Sequence, residues 1–129
     1  MIARIIMNSI SANWYILTMT EYVPHKWVVV KIINSEHEPI HKVFANWFGD
    51  YLNSDSWQLN SGITKVIKEG SDYCFHGYSG SIYRCNEINY GTTMYGASII
   101  AVMIERVESN GGTIEILPED TNWLEIDYD

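Results

Sequence analysis

One stripe of apolar residues at helical spacing, near the end of a chain otherwise written in short β-type runs, limits the fold more than any other feature. From Thr92 or Thr93 to Asn110, the positions Tyr95, Ile99, Ile100, Met103, Ile104 and Val107 share one helix face, while Glu105, Glu108 and Ser109 fall off it. A threonine stands ready to cap the start, and Gly111-Gly112 supplies a left-handed stop. The small residues Gly96, Ala97 and Ala101 would let this helix lie close to a sheet.

What precedes the helix reads as strands. Residues 2–7 and 14–20 form the first two, and residues 27–33 (WVVVKII), almost wholly apolar and β-branched, form a central one. Residues 34–39 make a polar loop that holds Pro39, after which residues 42–48 resume an apolar run. Residues 49–62 are a long, polar connection punctuated by aromatics. Residues 63–68 and 72–76 are two strands joined through Glu69-Gly70-Ser71, and the turn 77–81 leads into a returning strand, 82–85. Residues 113–117 are a final strand, halted by Pro118. The prediction is a single α+β domain of 129 residues: a mostly antiparallel sheet of hairpins, one helix packed on it at about 92–110, and an acidic segment at 118–129.

Charge divides this chain more sharply than composition does. Of the formal −8, residues 1–104 hold eight acids against seven bases, whereas residues 105–129 hold eight acids and the single base Arg106, a local charge of −7. The body is nearly neutral and the end carries the acidity. General nucleic-acid binding works by neutralising phosphates with a basic surface, so that class is disfavoured. Two cysteines do not make the framework of a small secreted scaffold. Asn8, Ser9, Ser11 and Asn13 break up the apolar N-terminal stretch, and no run approaches the ~20 apolar residues that cross a bilayer. The expectation is a reduced, cytoplasmic protein with no membrane partner; a homodimer through a sheet edge or the helix is compatible with the pattern.

Four motifs invite a catalytic reading. His37-Glu38-Pro39-Ile40-His41 matches H-E-x-x-H, which works only when a helix sets both histidines on one face around zinc; Pro39 between them argues for a loop instead. Gly77-Tyr78-Ser79-Gly80-Ser81 lacks the strand-to-helix setting of a nucleophile elbow. Gly91 and Gly96 have the spacing of a phosphate-binding loop, but Ala97-Ser98 stands where the lysine and hydroxyl are needed. If Ser79-Gly80 is a two-residue turn, Cys74 lies opposite Cys85 with His76 on the same face. That trio is read as two half-buried thiols and an ordinary histidine, with a metal set completed by His25 or His41 as the alternative. No cofactor is expected.

The run W-F-G-D-Y-L-N-S-D-S-W-Q-L-N-S-G-I (residues 47–63), with S-G-S-I-Y-R-C (79–85) and Tyr90-Gly91, resembles small accessory proteins of tailed bacteriophages. The resemblance covers about a third of the chain and transfers no functional residue. It implies a viral protein made early in infection, a class that includes inhibitors of host defence systems.

The residues themselves point to binding rather than catalysis. Trp47, Asp50, Tyr51, Trp57 and Asn60 place rigid aromatics in a connection rich in Gly, Asp and Asn, and Arg84 and Tyr90 are candidates for the same surface. Glu119, Asp120, Glu125 and Asp127 form an acidic strip suited to a basic host protein. The leading expectation is a non-enzymatic inhibitor that uses both surfaces. A sponge for a signalling nucleotide, with Arg84 or Lys65 and Lys68 on the phosphate, is the second, and an enzyme whose site is assembled from distant positions is the third.

Overall fold

The computed structural model describes residues 2–10, 13–49 and 54–128, with the first two strands described by backbone alone as far as residue 19. In chain order the elements are β1 (Ile2–Ile10), β2 (Asn13–Tyr22), β3 (Lys26–Asn34), β4 (His37–Trp47), β5 (Ser56–Leu59), β6 (Ile63–Glu69), β7 (Asp72–Gly77), β8 (Ile82–Asn86), α1 (Met94–Ser109) and β9 (Thr113–Ile116). A 3₁₀ turn, Glu87–Asn89, leads from β8 toward the helix. The fold is α+β, as the sequence predicts. Its strands form two sheets, ordered β1-β2-β8-β7-β6 and β5-β4-β3-β9. Among the described residues every ladder is antiparallel except the short parallel pairing of β2 with β8.

The apolar run of β3 has a specific cause. Trp27 and Val29 face the first sheet, where Val43, Ala45, Ile63, Phe75, Tyr83 and Cys85 complete a core with Trp123. Val28 and Val30 face the other way, into a second core with Phe44, Ile114 and Ile100 of α1. The four-stranded sheet is thus the middle of three layers and is buried on both faces, which removes the usual alternation of apolar and polar residues. The stripe on α1 is Ile99, Ile100, Met103, Ile104 and Val107, as the spacing predicts, while Tyr95 stays largely exposed.

Gly96 explains how the helix seats. A Cβ there would overlap Asn46 Oδ1 and Thr92 Oγ1, so only glycine permits the approach. Ala97 and Ala101, expected to help, face solvent. Thr93 caps the helix by accepting from the Gly96 N–H at 2.9 Å, and Gly111 (φ +84°) ends it. Among the described residues no helix is long and apolar enough to cross a membrane.

Three local expectations are corrected. The loop at 34–39 is a tight turn through Ser35 and Glu36, and His37-Glu38-Pro39 already belongs to β4. Pro39 is tolerated because the β3–β4 ladder is irregular between Ile32 and Asn34, so no regular bond is lost there. The connection 49–62 contains strand β5, whose Leu59 and Trp57 pair opposite Phe44 and Asn46. Finally, the β7–β8 hairpin turns through three residues, with the Gly77 N–H bonded to Ser81 O at 3.0 Å and Gly80 at φ +91°. That extra residue slips the register by one and sets Cys74 opposite Arg84 and Cys85 opposite Tyr73.

Candidate functional site

The slipped register separates the cysteine–histidine trio. Cys85 faces the inter-sheet core, whereas Cys74 and His76 occupy the opposite face of the same sheet. Burial pushes both thiols up, Cys85 well above the ordinary range, so each behaves as a packed side chain. His37 and His41 lie four residues apart on an extended strand, roughly 13 Å at ~3.3 Å per residue, too far to share one ion. Among the described residues no group of three or more His, Cys, Asp or Glu side chains is placed to hold a metal.

Several predicted binding residues hold the fold together. Asn60 is buried: its N–H donates to Val43 O at 3.0 Å and its Oδ1 accepts from the Val43 N–H at 2.9 Å, extending the sheet beyond β5. Arg84 on β8 reaches Glu21 on β2 at 2.6 Å, Glu69 on β6 at 2.8 Å and Asp72 on β7 at 3.5 Å. It therefore clamps four strands of the first sheet from its outer face, and its guanidinium is engaged by carboxylates. Tyr90 accepts from the Val29 N–H at 3.3 Å and donates to Leu117 O, tying the end of β9 to β3. Burial, with the Glu119 carboxylate nearby, raises its phenol to about 12.

Trp47 on β4 and Trp57 on β5 lie on adjacent strands and border one groove. Trp47 Nε1 donates to Val23 O at 3.0 Å with its ring edge-on to Tyr22, and Trp57, 38% exposed, stacks on Phe44 at 5.4 Å. With Tyr22, Ser56 and Gln58 they line an open groove of about 380 Å³. Asp50 and Tyr51 lie outside the described residues.

The acidic end is a docked segment rather than a free strip. Trp123, 2% exposed, inserts its ring among Trp27 (5.6 Å between centroids), Tyr90 (5.5 Å) and Phe75 (6.2 Å). Tyr128 donates to Trp123 O at 2.6 Å and packs edge-on against His41. Glu119, Asp120, Glu125 and Asp127 stay exposed on this anchored backbone. Glu119 and Asp120 meet Glu87 around a cavity of about 330 Å³ that Trp27, Tyr73, Tyr90 and Trp123 also line. At its margin the chain's own Lys68 sits 2.9 Å from Glu87 Oε2 and 4.6 Å from the centre of the Tyr73 ring. The Glu87 contact holds that ammonium's pKa above the ordinary value.

Tyr73, Glu87 and Trp123 escape the sequence reading, which places Lys68 only on a nucleotide phosphate. The available signal for Trp123 was N-W-L-E-I-D-Y (residues 122–128), which carries too many apolar side chains for a purely solvated tail. A scan of protein-family models, a search of curated proteins and a search of solved structures each returned no match.

Proposed function

We propose that this chain is a non-enzymatic binding protein of the phage accessory kind its sequence resembles, an anti-defence inhibitor that docks on a host protein in the host cytoplasm. Its contact surfaces are the Trp47–Trp57 groove and the anchored acidic segment. The observation that carries this reading is Trp123: by folding into the core it fixes Glu119 and Asp120 beside Glu87 above aromatic rings. A carboxylate-rimmed cavity with aromatic walls suits a lysine or arginine side chain, and Lys68 on Tyr73 and Glu87 displays the same chemistry within the chain. Acids held in place before encounter avoid the ordering penalty of a flexible tail, and they also steer a basic partner toward the site.

The nucleotide reading has less to draw on, because Arg84 is engaged by Glu21, Glu69 and Asp72. Affinity capture from bacterial lysate with the full chain, compared with Glu119→Lys/Asp120→Lys and Trp57→Ala, tests the docking reading. Salt-sensitive retention of one set of proteins by the unaltered chain, lost in both variants, is the expected result. Identical recovery by all three contradicts it.

A further inference from the structure

A second cavity, of about 380 Å³, lies between the C-terminal segment and the middle sheet. Lys31 on β3 and His41 on β4 are directly paired across the ladder, on the same face as Val29 and Val43, and both line this space. Pro39, Leu117 and Ile126 give it an apolar wall. His41 is 7% exposed, and its Nδ1 is buried without a hydrogen-bond partner. A buried nitrogen left so is costly, and native structures rarely tolerate it without a ligand, an ion or a water. Among the described residues no carboxylate pairs with Lys31.

We infer that this cavity binds a small monocarboxylate with an apolar body, which bridges the sheet and the acidic segment. The carboxylate answers the Lys31 ammonium and gives the His41 imidazole a partner, while the hydrocarbon lies on Pro39, Leu117 and Ile126. Glu38 and Asp127, which also line the cavity, repel a second negative charge and so select a monoanion over a phosphate monoester. The charged and titratable groups around His41 are Lys31 on the facing strand, Glu38 on its own strand, and Asp127 and Tyr128 on the segment. Burial first, then Lys31, keeps the empty site's imidazole neutral. A bound carboxylate favours its protonated form, so binding takes up a proton and tightens as pH falls from 8 to 6. This site stands apart from the docking reading and does not depend on it.

Calorimetric titration of the full chain with 4-methylpentanoate, 4-methylpentan-1-ol and inorganic phosphate at pH 6 and pH 8 tests the inference. Saturable binding of the carboxylate alone, tighter at pH 6, is expected. Lys31→Gln, at a half-exposed position, is expected to weaken it at least ~10-fold with an unchanged melting temperature, and His41→Gln to flatten the pH dependence. Equal binding of the alcohol, tighter binding of phosphate, a pH-independent affinity or no binding of the carboxylate would each overturn the assignment.

Discussion

The Tyr128 hydroxyl donates to the Trp123 carbonyl oxygen across 2.6 Å, closing the acidic segment back on its own anchor. The bond explains how a stretch rich in carboxylates keeps one conformation. Trp123 supplies the apolar burial, Tyr128 ties the far end, and the acids are left on the outside. Removing residues 118–129 would therefore open the core as well as delete charge, which makes point substitutions at Glu119 and Asp120 the better probes of function.

Trp123→Ala is expected to destabilise the fold by about 3–5 kcal/mol, the range for emptying a large buried aromatic site. Leu124→Ala, at a neighbour 52% exposed, should change stability by less than about 0.5 kcal/mol. Urea unfolding of the two variants checks the contrast; similar midpoints would mean that the segment is not anchored.

Arg84→Met removes the guanidinium from Glu21, a carboxylate 3% exposed, and is expected to cost about 3–5 kcal/mol. Arg84→Met combined with Glu21→Gln should recover part of that loss, because the buried charge is gone as well. A double-mutant cycle from urea midpoints measures the coupling.

Gly96→Ala sets two effects against each other. Helix propensity favours alanine by up to about 1 kcal/mol, while overlap with Asn46 and Thr92 opposes it by roughly 1–3 kcal/mol. The overlap should win, giving a net loss in the thermal midpoint.

Stability should fall in mild acid. Burial, aided by Lys31 and Lys65 respectively, lowers the pKa of His41 and of His76 below the ordinary 6.5. The unfolded chain then takes up these protons first, so their contribution is fully present above about pH 6.5 and is lost as pH falls below it toward the folded-state values. Urea midpoints at pH 7.5 and 5.5 check the direction, and His41→Gln should reduce the difference.

Much of this fold was legible because it repeats. Helix α1 shows its period over four turns and carries its start and stop signals, Thr93 and Gly111. Strand β5 was hidden because its four residues, S-W-Q-L, are too few for a pattern and take their conformation from pairing with β4. One residue in the turn before Ser81 decided the face of Cys74 and Cys85, a choice that depends on the backbone at Gly80. At the candidate site the charge count was legible, but its geometry was not. Tyr73, Glu87 and Trp123 are brought together by tertiary packing alone, and Arg84 is drawn away by carboxylates on three other strands.

The cavity rimmed by Glu87, Glu119 and Asp120 is expected to take a cationic side chain. The indole N–H signals of Trp27 and Trp123, both on that cavity, report on it directly. Titration of the isotopically labelled chain with a capped Gly-Lys-Gly peptide, and with its norleucine counterpart, should give a saturable, salt-sensitive shift of these signals for lysine only, reduced in Glu119→Gln/Asp120→Asn. No shift with lysine, or the same shift with norleucine, would contradict the account.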